Sequence, residues 1–334
     1  MTVDATFNTY YDIKLDEDEK KSWGPYADGR LQFLPVDPSR INTFYVGERK
    51  LPSLQFVLSR RLASCKLDAF LDSADCTIAD RIRLESCRSK ESGRWLRLHP
   101  LIEPLSDAHF RIALRLRLGL PPLRYDVPLP CPMCKKGVDA EGNPDPWHPF
   151  ACSAVRRRMV TTRHDRAMEL VCRYARSCSV IARIEPKDFK SLVPDSELFF
   201  ASKTLLTDLS GVHSLAPSHL ERFPAPGQAI QHRATVKHNK YDAHAEATGC
   251  TFSPLVMDAF GSMHKEFADV LDSIAEEAGL AAFAPAPGLL SPDDFLCALS
   301  AQWQKDNALI VLEWQRLCRK RMYHMHAQSA ELAS

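Results

Sequence analysis

The stretch CPMCKKGVDAEGNPDPWHPFAC, residues 131–152, constrains this chain more than any other. It holds Cys131, Cys134, His148 and Cys152 in the spacing C-x2-C, thirteen residues, H-x3-C. A C-x2-C turn can bring two sulfurs to one metal, and H-x3-C sets a second pair one helical turn apart. Gly137, Gly142, Pro144 and Pro146 lie between the pairs, so a metal would have to order the segment. Four unrelated loop residues are the plain alternative. The spacing favours a CCHC zinc knuckle over residues 126–153. Four protein ligands close a tetrahedral shell, so the zinc is expected to be structural.

Cysteine usage elsewhere agrees with that chemistry. There are eleven cysteines, an odd number, which argues against a disulfide framework and for metal ligation or buried thiols. The opening residues MTVDATFNTYYDIKLDEDEKK lack a basic and then apolar pattern, so no secretory signal is expected. No apolar run reaches membrane-spanning length, so no membrane partner is expected. A chain of 334 residues suggests about two domains, and a net charge of +1 advertises no global affinity for polyanions.

Periodicity sorts the remainder. Residues 1–50 carry the charge run LDEDEKK and give no assignment. Leu54, Val57, Leu58, Leu62, Leu67 and Leu71 recur at helical steps, as do Phe110, Ala113, Leu114 and Leu118. Together they predict a helical unit over 51–125. A helix is predicted over about 154–177. Strands follow at ARIEP and at ELFF…TLLTDLSGVH, then a helix ending at Gly249, then the strand-like CTFSPLVMDAFG. This order implies an α/β core, a small mixed sheet flanked by helices, with its domain over 154–275. A proline-rich linker at 284–294 leads to a final helix over 285–334. Ser291 and Asp294 cap that helix; Phe295, Leu299, Trp303, Ile310, Trp314 and Leu317 form its buried face.

The helix after the knuckle is rich in arginine: Arg156, Arg157, Arg158, Arg163, Arg166, Arg173 and Arg176. With His164, its first half is the candidate nucleic-acid surface, against the alternative of an ordinary solvated face. Further along, Glu185, Asp195 and Asp208 precede KHNKY, which holds Lys237, Lys240 and Tyr241. On a helix those last three share one face. Carboxylates that hold Mg²⁺, with a lysine beside the attacking water, are the groups phosphodiester hydrolysis needs. Turn acids and an exposed helix face would read the same.

The order of these motifs resembles the C-terminal part of site-specific non-LTR retrotransposon proteins that carry a restriction-like endonuclease. The resemblance spans Leu114 to Gly261 and rests on the CCHC set, Arg163-His164-Asp165, Glu185-Pro186, Pro194-Asp195, Asp208, and Lys237, Lys240 and Tyr241. It implies a PD-(D/E)XK-type fold and a Mg²⁺-dependent deoxyribonuclease acting in the nucleus. DNA would be the partner, with RNA the second candidate. Asp195 and Asp208 would hold magnesium and Glu185 would orient water or a ligand. Lys237 or Lys240 would stabilise the attacking hydroxide or the phosphate, and Tyr241 would orient or pack. Three positions depart from the pattern: Val193 replaces a basic residue, Asp165 an asparagine and Ser210 the lysine of D-x-K. Residues 1–120 lack a reverse-transcriptase acid pair. The chain is therefore expected to be a fragment of such an element or a domesticated relative, in which catalysis either survives or has given way to binding alone.

Overall fold

The computed structural model describes residues 44–46, 49–51, 54–97, 103–122, 130–138, 145, 147–187, 192–280 and 291–333. They fall into two compact units, one up to Cys76 and the other from Thr77 onward. The first has the antiparallel strands β1 (Phe44–Val46) and β2 (Arg49–Leu51), followed by α1 (Leu54–Leu71). Residues 1–43, expected to be unassigned, lie outside the described residues.

The second unit begins with α2 (Ile78–Arg88) and α3 (Asp107–Arg117). Each starts at a hydroxyl cap, Thr77 and Ser106, whose oxygen accepts from a backbone N–H of the first turn. The knuckle then leads into the short α4 (His148–Ala151). The predicted helix over 154–177 is present but not uniform. It consists of α5 (Ser153–Val155), a π-helical stretch at Arg156–Val160, and α6 (Thr161–Ser177). A π turn inserts an extra residue and rotates everything after it relative to the residues before it.

The sheet has order β3-β4-β5-β6: β3 Ile181–Ile184, β4 Ser196–Phe199, β5 Thr204–Val212 and β6 Thr251–Asp258. Its first three strands are antiparallel neighbours, and β5 pairs parallel with β6. The parallel pair requires a crossover, which α7 (Pro217–Arg222) and α8 (Gln228–Ala247) supply. Gly249 stops α8 at φ +68. There the Gly249 N–H donates to Glu246 O and the Cys250 N–H to Ala245 O, the double bond pattern of a left-handed glycine cap. The chain continues through α9 (Lys265–Leu280) to α10 (Pro292–Ala333). Ser291 and Asp294 cap α10 reciprocally, each side chain accepting from the other's backbone N–H.

Both faces of the sheet are covered. Leu205 and Leu209 of β5, with Leu255 and Met257 of β6, pack under Met168 and Val171 of α6, Phe267 and Ile274 of α9, and Phe295, Leu299 and Trp303 of α10. Val212 and Val256 face Ala229, Ile230 and Ala234 of α8. With cover on both sides β5 is buried almost throughout, and the in-out alternation of a half-exposed strand is lost. Asp208 nevertheless stands in the middle of it, only 4% exposed.

Candidate functional sites

Two clusters of chemistry-bearing side chains emerge. The first is the knuckle. Cys131 Sγ lies 3.9 Å from Cys152 Sγ, Cys152 Sγ 3.8 Å from Cys134 Sγ, and Cys134 Sγ 3.2 Å from His148 Nε2. All four donor atoms fall within 4.8 Å of one another. Zinc–sulfur bonds of about 2.3 Å at tetrahedral angles set sulfurs about 3.8 Å apart, which is the spacing found. The local backbone permits it. Lys135 turns at φ +62, and the Lys135 N–H donates to Cys131 O while the Cys131 N–H donates to Lys136 O. Gly137 takes φ +100, and a Cβ there would sit 2.8 Å from the His148 ring. The residues fit the group: this Cys3His set could bind zinc.

The knuckle has neighbours that spacing alone did not reveal. The Trp314 Nε1–H of α10 donates to Cys131 Sγ at 3.4 Å. Cys318, one turn later, is fully buried with Cys131, Cys152 and Val155. Trp147 and Phe150 of the knuckle pack against His213, just past the end of β5. Burial, then the charges of Arg163 and His219, hold the His213 pKa down to about 3, so this imidazole is a neutral packing element.

The second cluster lies around Asp195 and Asp208. In the β3-β4-β5 ladder Ile184 faces Ser196, and Ser196 faces Thr207. One step further the Glu185 N–H donates to Asp195 O. The register thus sets Glu185, Asp195 and Asp208 in one row across three neighbouring chain segments. From α8, Lys237 Nζ ion-pairs with Asp208 Oδ1, and Lys240 Nζ donates to Tyr241 OH at 2.8 Å. Tyr241 OH donates in turn to Val193 O. Burial, then a hydrogen bond to Asp208 and the charges of both aspartates, push the Tyr241 phenol pKa up. Asp195 Oδ2 accepts from Leu209 N at 2.6 Å and meets His164 Nε2 at 2.7 Å. Burial would lower the His164 pKa, but the hydrogen bond and charge of Asp195, helped by Asp165, outweigh it and hold it at about 9.

Several expected placements change. Lys237 and Tyr241 turn inward, whereas Lys240 stays at the exposed rim. Glu185 is exposed, at a left-handed φ of +44. It lines a cleft of about 460 Å³ with Lys187, Val193, Pro194 and Asp195. Among the described residues only the Cys3His set gathers three or more ligating groups within 4.8 Å; the three acids do not. Leu209 N and His164 Nε2 occupy Asp195 Oδ2, and Lys237 occupies Asp208 Oδ1.

His164 therefore belongs to the acid site, not to a free nucleic-acid face. Arg163 corrects that expected face further. It is 6% exposed, its Nη1 donates to Asn307 Oδ1 at 2.6 Å, and its guanidinium lies 4.3 Å over the Trp303 ring. Arg166 is spent on Asp306, Arg173 on Glu169 and Arg176 on Ala182 O. The side chains of Arg156 and Arg157 lie outside the described residues. No signal in the local sequence betrays the burial of Arg163, because Asn307 and Trp303 sit on the distant α10.

Sequence reasoning also missed Lys187 and Arg233. Arg233 Nε donates to Ser210 Oγ at 3.2 Å, placing a cation where a D-x-K lysine would stand. Its position one turn before Lys237 on α8 was the available clue. Among the described residues no helix is long and apolar enough to cross a membrane. The chain matches no protein-family model and no curated protein.

Proposed function

We propose that this chain is a DNA endonuclease domain of the restriction-like type, related to those of non-LTR retrotransposon proteins and acting on nuclear DNA. The observation that carries the reading is the row Glu185–Asp195–Asp208 with Lys237 set on Asp208. A buried carboxylate in the middle of a central strand costs stability unless it is paired. Its retention beside a lysine and a second aspartate suits chemistry better than packing. The oxygen donors also suit magnesium, which is commonly held by one or two carboxylates together with substrate phosphate and water. Asp195 and Asp208 would hold it, and when bound it supplies Lewis-acid activation of water. Lys237 would position Asp208 and face the scissile phosphate with its charge, and Lys187 and Lys240 at the cleft rim would hold the strand by its phosphates. Tyr241 keeps Lys240 and the Val193 carbonyl in place.

The test is nicking of supercoiled plasmid with Mg²⁺ or Mn²⁺. Wild type is expected to nick, and Asp208→Asn to lose the activity while binding DNA as before. A wild type that binds DNA but never nicks it would select a second reading, a nucleic-acid-binding zinc protein without catalysis. One observation favours that alternative: His164 and Lys237 already neutralise the two aspartates.

A further inference from the structure

The arginine helix leaves few cations free for a polyanion. Arg163 is buried on Asn307, and Arg166, Arg173 and Arg176, though exposed, each have an acceptor within the chain. Unpaired basic side chains concentrate elsewhere, where α10 passes the knuckle. Trp314 and Cys318 stand four residues apart on α10 and both face Cys131, so this turn of the helix is fixed in rotation. Residues 319, 320 and 321 then follow at about 100° steps, so that Arg319 and Arg321 flank the buried side of Cys318 and Lys320 points to solvent behind it. Arg319, Lys320 and Arg321 are exposed and, among the described residues, have no ion pair or hydrogen bond. The nearest acid on the helix, Glu313, is already held by Nε and Nη2 of Arg316. Arg158, also exposed, adds its charge beside Glu313. Exposed Lys135 and Lys136 extend from the knuckle turn itself.

We infer that the knuckle and the basic turn of α10 together form a phosphate-binding surface for duplex DNA, carried by Lys135, Lys136, Arg158, Arg319, Lys320 and Arg321. It rests on the DNA reading above but uses a helix outside the motif-bearing segment. The metal module would fix the position of α10, and α10 would present the charge. Cations without internal acceptors break no ion pair when they turn toward phosphates, and their counterion release makes binding salt-dependent. The exposed ring of Tyr323, in the next turn, gives the same surface an aromatic face.

The experiment is fluorescence anisotropy with a labelled short DNA duplex in buffer without added divalent metal, over a series of salt concentrations. The triple variant Arg319→Ala/Lys320→Ala/Arg321→Ala is expected to bind at least about ten-fold more weakly and to lower the slope of log K against log salt by about 2 to 3. Lys135→Ala/Lys136→Ala is expected to shift both quantities the same way, less strongly. Unchanged thermal midpoint and zinc content in each variant establish that surface charge alone was removed. A triple variant with wild-type affinity and slope would overturn the inference. So would wild type that binds phosphatidylserine vesicles but no duplex. Wild type that nicks plasmid, with a triple variant that binds normally, removes this surface and leaves the endonuclease reading standing. Wild type that binds through these residues yet never nicks does the reverse.

Discussion

At the scale of single residues, the acid that most clearly departs from ordinary behaviour is not in the cleft. Asp258 ends β6 with no exposed surface. Its Oδ1 accepts from the backbone N–H groups of Phe260 and Ser262, while Oδ2 has no partner. Burial outweighs the hydrogen bonds from Ser86 and the turn amides, lifting the pKa from 3.8 to about 6. The folded state thus prefers the protonated acid. Its contribution to stability is complete below the unfolded value of 3.8 and is lost as pH rises through about 6. The change amounts to about 3 kcal/mol. Asp258→Asn keeps the accepting oxygen and removes the charge, so it is expected to stabilise the protein above pH 6 and flatten the pH profile; urea titrations across that range check it. Gly211 makes a second case. A Cβ there would collide with the Arg163 guanidinium and lie 3.1 Å from Trp303. Gly211→Ala should therefore cost about 1–3 kcal/mol, as overpacking does, read as a lowered thermal midpoint. Neither feature was legible in the sequence. Arg163 finds Asn307 and Trp303 on α10, and Asp258 finds Ser86 on α2, and a lone acid or glycine in a strand carries no mark of who will face it.

At the scale of elements, much more was legible, because periodicity and caps are local. Asp208 follows Asp195 by thirteen positions, and the chain between them folds about the turn between β4 and β5, so hairpin symmetry sets the two acids opposite each other. The end of α8 at Gly249 and the reciprocal cap at Ser291 and Asp294 follow from residue type and spacing. What local pattern could not supply was the π turn at Arg156–Val160. It re-aims α6 so that Arg163 points inward and His164 reaches Asp195. Gly249 carries an element-scale prediction. Its φ is left-handed at +68, and a Cβ added there would meet no neighbouring atom within 4 Å, so Gly249→Ala tests backbone strain with no clash. A cost of about 1–2 kcal/mol is expected, measured by chemical denaturation. A neutral result would mean that the cap is not held in the left-handed region.

At the scale of the whole second unit, α10 is the member that joins the parts. Its first half, Phe295 to Trp303, packs into the main core with Tyr174 stacked on Phe295 at 4.1 Å. Its middle, Ala308 to Val311, meets Ile112 and Leu116 of α3 and Phe150 of the knuckle. Trp314 and Cys318 then close over Cys131 and Cys152. The first half rests on apolar burial that needs no metal. The last contacts rest on the Cys3His set, where bonds to zinc would supply folding energy. Chelation should therefore act on α10 unevenly. Hydrogen exchange is expected to rise in the amides of residues 131–137, 148–152 and 312–320 when metal is stripped, while residues 295–303 and strand β5 keep their protection. Trp314→Phe, which loses the N–H donated to Cys131 but keeps an aromatic ring, should speed metal release to a colorimetric chelator and leave the core's exchange unchanged. Uniform loss of protection along the whole helix would instead mean that the knuckle and the sheet unfold as one cooperative block.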